Sequence, residues 1–228
     1  IKQEEQLLVQ TPEAMRSRFN LDVRVNSEVV AIDRDNKQVH VRETRTGLEY
    51  DESYDKLILS PGARPFVPRI EGRDLAGVFT LRNVPDTIRI RRFVDSGNVK
   101  RAVVVGGGFI GVEMAENLRE RGIPVTLVEA LDQIMAPFDK EMASLLQASL
   151  KQNGIRLMLG SSITGIRQAA EGMEVLLGEG DPIPADMVVL SIGVRPESEL
   201  ARESGLEVGE RGGIRVDDRQ RTSDPDIY

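Results

Sequence analysis

The residues most suited to chemistry lie near the middle of the chain, in Gly106-Gly107-Gly108-Phe109-Ile110-Gly111. Glycines at 106, 108 and 111 form a G-x-G-x-x-G pattern, and each has a physical task. Gly106 lets the chain turn sharply. Gly108 removes a side chain, so that backbone N–H groups can reach a pyrophosphate. Gly111 allows close packing of the following helix. A helix N-terminus here adds unpaired N–H donors and a partial positive charge. Glu129 follows Gly111 by eighteen residues, where a carboxylate can accept hydrogen bonds from the two hydroxyls of an adenosine ribose. Ala130 and Leu131 come next; neither Arg nor Lys stands there to receive a 2′-phosphate. The pattern predicts NAD(H) in preference to NADP(H), with Gly106, Gly107, Gly108, Phe109, Ile110, Gly111 and Glu129 at the nucleotide. A bare structural turn is the competing reading of the loop.

Other candidates are weaker. Glu113, in the first turns of the same helix, either complements the helix dipole or lies on the nicotinamide side of the nucleotide; the sequence does not choose. Gly193 follows the apolar run Met187-Val188-Val189-Leu190, at a strand end where open α/β sheets bind ligands, or makes a plain turn. His40 is the single histidine. It sits in a Val-His-Val strand pattern and reads as a surface residue rather than a catalyst. Arg89-Ile90-Arg91-Arg92 reads as a solvated helix face. No metal-ligand cluster and no Ser/His/Asp arrangement is visible.

The elements around these residues follow from periodicity and punctuation. Thr11-Pro12-Glu13 starts a helix to about Arg18. Strands are expected at 21–25, 29–33 and 39–43, with a hairpin turn at Asp35-Asn36-Lys37, and a buried strand at 56–60. Residues 64–82 read as a connector and 85–94 as a helix closed at Ser96-Gly97. Beyond it, strands at 101–105, 125–129, 155–159 and 186–191 alternate with helices at 108–121 and 139–153, and strands at 162–168 and 173–178 interrupt the alternation. That order predicts an α/β fold: a Rossmann-like parallel sheet with an antiparallel insertion before its last strand. The domain boundary is expected at 97/98.

With 40% hydrophobic and 29% charged residues in 228, the chain can bury a sizeable core, largely aliphatic because Trp is absent and aromatics are 4%. A net charge of −7 argues against nucleic acid and anionic membrane surfaces. No run approaches a membrane span and no signal peptide is visible, so the cytoplasm is the expected location. Cysteine is absent, so this chain performs no thiol chemistry alone. It opens on Ile1 rather than Met, and neither end has the look of a natural terminus; a piece of a longer protein is expected.

Four segments together resemble the flavin-dependent pyridine nucleotide–disulfide oxidoreductases: 54–65 (YDKLILSPGARP), 77–83 (GVFTLRN), 106–113, and 191–196 (SIGVRP). Within that family, Gln10-Thr11-Pro12-Glu13 and 52–57 (ESYDKL) are similar to coenzyme A disulfide reductases and NADH-dependent persulfide reductases, some of which carry a rhodanese domain. The resemblance implies residues 1–97 as the later part of an FAD-binding domain and 98–228 as the NAD(H)-binding domain running into the return. It implies Ser60, Pro61 and Gly62 approaching the flavin cofactor through backbone, Val29 near its adenine, and Arg82 near its phosphates or ring. Phe109, Ile110 and Glu113 would line the NADH pocket, with Gly193 beside the nicotinamide. Arg18 would contact a coenzyme A phosphate or simply end a helix in solvent. The family's first FAD motif and this branch's redox cysteine would precede Ile1, and its second flavin segment and dimerisation domain would follow Tyr228. A chain without these is expected to bind NADH but not FAD.

The implied activity is an FAD-dependent NADH:disulfide or persulfide oxidoreductase, acting on a small-molecule, coenzyme A-linked acceptor in a homodimer. Two alternatives stay open: an NADH oxidase or NADH:acceptor reductase on the same scaffold, and a non-catalytic NAD(H)-binding or redox-sensing module.

Overall fold

The computed structural model of the chain describes residues 9–228. In chain order the elements are α1 (Pro12–Phe19), β1 (Ser27–Asp33), β2 (Gln38–Glu43), β3 (Glu49–Ser53), β4 (Ala63–Pro65), β5 (Val78–Phe79), α2 (Val84–Asp95), β6 (Ala102–Val105), α3 (Phe109–Glu120) and β7 (Val125–Val128). They continue with α4 (Lys140–Gln152), β8 (Arg156–Met158), β9 (Ile163–Gln168), β10 (Met173–Leu177), β11 (Ile183–Ala185), β12 (Met187–Leu190), β13 (Val194–Pro196) and α5 (Glu199–Glu203). The chain forms two compact units, one from residues 65–194, the other from residues up to 64 together with 195–228.

The 65–194 unit is built on a five-stranded parallel sheet in the order β5-β12-β6-β7-β8. Its strands read Ala-Val-Val-Val, Val-Thr-Leu-Val and Met-Val-Val-Leu, the near-continuous apolar runs of strands covered on both faces. Period-2 alternation then assigns the faces. Ala102, Val104, Leu127 and Val189 pack with Ile90 of α2, Val112, Ala115 and Leu118 of α3, and Leu150 of α4. Val103, Val105, Val128 and Leu190 pack with Ile166, Met173, Val175 and Ile183 of an antiparallel sheet ordered β11-β10-β9. The insertion predicted before the last parallel strand is this second sheet, which packs on that face.

The helix boundaries have local causes. Thr11 caps α1 by accepting from the Ala14 N–H. Asn83 and Asp86 form a reciprocal capping box at α2. The basic run on α2 behaves as its pattern suggests: Ile90 is buried, while Arg89 and Arg91 pair with Asp86 and Asp95.

Several expectations are corrected. Residues 21–25 form no strand: Leu21 and Val25 are exposed, and Arg24 bonds Asp22 and Glu52 through its side chain. Residues 56–60 are not a full strand either. Leu57 makes a single parallel bridge to Ile227, with Leu59 N–H donating to the Tyr228 carbonyl, while Ile58 is 77% exposed. Within the supposed connector, Val78 and Phe79 join the parallel sheet beside β12. Strands β3, β4, β11 and β13 and helix α5 lie outside the expected elements. The compact units divide at 64/65 and 194/195 rather than at 97/98, because β5 and α2 give Phe79, Ile90 and Phe93 to the core of the parallel-sheet unit.

In the other unit, β1, β2 and β3 form an antiparallel meander. Ile32, Val39, Val41, Ala201, Leu206 and Ile227 form its core. Asp226 there bridges Lys37 and Lys56, whose hydrogen bonds lower its carboxyl pKa to about 2. A carboxylate held below its unfolded value stabilises the fold above that value and loses the contribution as pH falls through the folded one. Acid titration should therefore lower the thermal midpoint between about pH 4 and about pH 2, and Asp226→Asn should flatten that part of the profile. An unchanged profile in the variant would assign the acid transition elsewhere.

Candidate functional site

Three parallel strands, β6, β7 and β12, end side by side, and their carboxyl ends open into a cleft of about 620 Å³. Val105, Val128 and Leu190 form its floor. Ligands of open α/β sheets bind at such ends. The glycine loop, Glu129 and Gly193 meet there, with Phe109 and Ile110 on the helix side.

The three glycines of the motif serve different ends. Gly106 has φ +104°, and a Cβ on it would lie 2.4 Å from the Ser191 carbonyl oxygen. At Gly111 a Cβ would stand 1.8 Å from the Gly106 carbonyl oxygen, so α3 sits directly against the loop. Gly108 differs: nothing lies within 4 Å of where its Cβ would be. The protein itself does not require glycine there, whereas a ligand approaching the backbone would. Gly108 is also the N-cap of α3 and carries no side-chain cap, so the first N–H groups of the helix lack the partner an N-cap side chain would give them. An open, uncapped helix start beside side-chain-free backbone fits a pyrophosphate.

Gly107 is fixed from both sides. Its N–H donates to Glu129 Oε2 at 2.6 Å, and its carbonyl accepts from the Met135 N–H at 2.7 Å. Glu129 Oε1 accepts from the Leu131 N–H at 2.8 Å. Each carboxylate oxygen has a second lone pair, so the predicted ribose contacts remain available. Glu129 is the sole charged side chain among the described residues lining the cleft. Ser191 Oγ donates toward the Val105 and Gly106 carbonyls, at 2.9 and 3.2 Å, tying the end of β12 to the loop.

Sequence reasoning missed part of the wall. Pro137, Ser161, Ser162 and Ile163 line the cleft, and Phe138 meets Phe109 edge-on at 5.9 Å between centroids. No residue-type signal marks them, since loops after β7 and β8 carry them in.

Other predicted residues fall elsewhere. Glu113 is exposed on α3 and does not line the cleft. Arg82 is exposed just before α2, its N–H donating to Asp86. Val29, Ser60, Pro61 and Gly62 are exposed in the other unit. Gly62 has φ +77° with open space around it, which suits backbone approach to a flavin nucleotide. Arg18 is exposed at the end of α1, its guanidinium 5.1 Å from the Phe19 ring. His40 pairs with Asp51 across β2 and β3. Among the described residues no group of His, Asp or Glu could hold a metal ion, and no helix is long and apolar enough to cross a membrane.

Comparison with known proteins agrees with this fold. The family model "Pyridine nucleotide-disulphide oxidoreductase" matches residues 2–228. The chain is 35% identical to a coenzyme A disulfide reductase of Staphylococcus aureus, over 97% of this chain and 49% of that protein. The crystal structure of reduced Bacillus anthracis CoADR-RHD superposes with a TM-score of 0.95 at 49% identity, covering 100% of this chain and 41% of that one. An engineered water-forming NADPH oxidase bound to NADPH, a mutant of LbNOX, gives a TM-score of 0.91 at 28% identity, covering 100% and 50%. The chain spans about half the length of the curated relatives it matches.

Proposed function

The chain belongs to the pyridine nucleotide-disulphide oxidoreductase family, and from that premise we propose that it is the NADH-binding part of an FAD-dependent enzyme that reduces a coenzyme A-linked disulfide or persulfide. The observation that carries the reading is the cleft at Gly106–Gly111, whose middle glycine has open space where a Cβ would be and is therefore not required by the fold. The names of the similar coenzyme A disulfide reductase and CoADR-RHD support the acceptor class.

Within that reading each residue has a role. The N–H groups at Gly108 and the start of α3 hold the pyrophosphate. Glu129 holds the adenosine ribose and, through Gly107, the shape of the loop. Phe109, Ile110 and Gly193 bound the nicotinamide end and exclude water, with Glu113 on the same helix outside the cleft. Ser60, Pro61 and Gly62 meet FAD through backbone, with Val29 and Arg82 as further contacts. Arg18 meets a coenzyme A phosphate. When bound, NADH supplies a hydride, and FAD relays the electron pair to the acceptor; this chain's residues align and shield the reactants. A cysteine outside this chain, a homodimer and a cytoplasmic location complete the proposal.

NADH is the proposed nucleotide. The engineered NADPH oxidase carries five substitutions. They include a glycine-to-alanine change and, eighteen positions on, an aspartate-to-alanine change followed at once by alanine-to-arginine. Gly111 and Glu129 have the same spacing here, with Ala130 next. An acid followed by alanine is thus the arrangement that was altered in the protein bound to NADPH.

The test is anaerobic turnover of the full-length protein with coenzyme A disulfide. Two thiols released for each NADH oxidised is the expected result. In a parallel assay in air, NADH oxidation that follows oxygen uptake, with no thiol released under either condition, would favour the second reading, an NADH oxidase, which the similarity to the engineered oxidase supports. No turnover with any acceptor would leave a nucleotide-binding module.

A further inference from the structure

A second cavity, of about 470 Å³, belongs to the unit that ends at Arg64 and resumes at Arg195. Four arginines line it: Arg64, Arg195, Arg202 and Arg211. Two carboxylates, Glu199 and Glu210, face it as well. Among its lining side chains positive charge therefore exceeds negative by two, which matches a dianion. Arg64 is shared between Glu197 and Glu199, at 3.3 and 3.4 Å. Arg202 and Arg211 are exposed and have no ion pair among the described residues.

Ser198 supplies an independent observation. It lines the same cavity but is only 5% exposed, the one buried polar residue of the described chain. Its hydroxyl does not cap the short helix it precedes, and it has no hydrogen-bond partner among the described residues. Arg101 Nε is the one fully buried side-chain N or O atom without a hydrogen-bond partner among the described residues, so the Ser198 hydroxyl keeps some surface and can donate to a ligand in the cavity that this residue lines. A hydroxyl donor within a ring of guanidinium forks suits a tetrahedral oxyanion, since arginine binds phosphate oxygens through two parallel N–H groups.

We propose that this cavity binds a phosphate or pyrophosphate group through Arg202, Arg211 and the Ser198 hydroxyl. Its volume leaves room for more than the phosphate itself, so the natural ligand is a phosphorylated small molecule. Two sources share that chemistry: a free phosphorylated effector, and the phosphate end of the electron acceptor. The cavity shares no lining residue with the glycine cleft, which residues 65–194 line entirely.

The probe is inorganic pyrophosphate, titrated calorimetrically at fixed ionic strength. Gly108→Val provides the background, so that the glycine loop is silent. Saturable binding is expected, at least about tenfold weaker in Arg202→Ala/Arg211→Ala, which removes two charged donors. Ser198→Ala should weaken it about threefold to tenfold, as the loss of one neutral hydrogen bond. Both arginines are exposed, so the double variant should keep its thermal midpoint. Absence of saturable binding, or equal affinity in the double variant, would overturn the site. The source is then read from the full-length enzyme. A raised KM for coenzyme A disulfide in the double variant assigns the cavity to the acceptor, and an unchanged KM with lost pyrophosphate binding assigns it to a free effector. The calorimetric result stands whether or not that disulfide proves to be the substrate.

Discussion

Gly108→Val is expected to remove NADH binding by at least about a hundredfold, or about 2.7 kcal/mol, with the thermal midpoint of the chain nearly unchanged. A Cβ built there meets nothing within 4 Å. The backbone, at φ −78° and ψ −174°, is extended, a conformation that β-branched residues accept. As N-cap of α3 the glycine makes no side-chain bond that valine would remove. The cost to folding should therefore be about 1 kcal/mol, that of a less favourable N-cap residue. The isopropyl group would instead fill the space through which a pyrophosphate reaches the loop and the start of α3. Gly111→Val is the matched control, because its Cβ would stand 1.8 Å from the Gly106 carbonyl oxygen. That variant should unfold at clearly lower temperature, since the atom in the way is backbone. Calorimetric titration with NADH and a melting curve for each variant separate the two effects. If Gly108→Val binds NADH like the wild type, the dinucleotide does not lie on this loop.

This contrast also shows what the sequence could and could not convey. The βαβ unit was legible because all its signals are local: an apolar strand, three glycines, an amphipathic helix, and an acid at the next strand end. The antiparallel insertion was legible from its strands, although the short β11 was not. Partners distant in sequence were hidden. Phe79 reaches the parallel sheet from a segment that reads as a connector, because two residues beside β12 complete its edge. The 130–138 loop secures Gly107 through Met135, a residue at φ +52° that no residue preference announces. Residues 21–25 alternate like a strand, yet they lack a pairing partner, and Leu21 and Val25 stay exposed. Alternation describes what a strand would bury, and burial requires a surface that the local sequence does not specify. The arginine cavity escaped for the same reason, because Arg64 lies more than a hundred residues before the others in sequence.

Discrimination between NADH and NADPH should rest on Glu129, and its removal is the second large effect expected. The wild-type chain should prefer NADH by at least about tenfold, since 1.4 kcal/mol is one decade of affinity. A 2′-phosphate in this cleft would meet a carboxylate and find no cation, because the other described lining residues carry no charge. Glu129→Arg removes the like charge and offers a fork to the phosphate, so the preference should fall to near unity or reverse. NADH itself should also bind more weakly to this variant. The carboxylate accepts the Gly107 N–H at 2.6 Å, and an arginine, which has only donors, leaves that N–H unpaired. Glu129→Gln divides the two roles. It keeps one acceptor oxygen of similar shape while removing the charge, so NADPH should gain on NADH although the loop stays largely in place. Dissociation constants for both nucleotides in the three proteins decide the matter. Equal wild-type affinities would mean that the ribose lies away from Glu129, and the carboxylate would then serve only to hold Gly107 and Leu131.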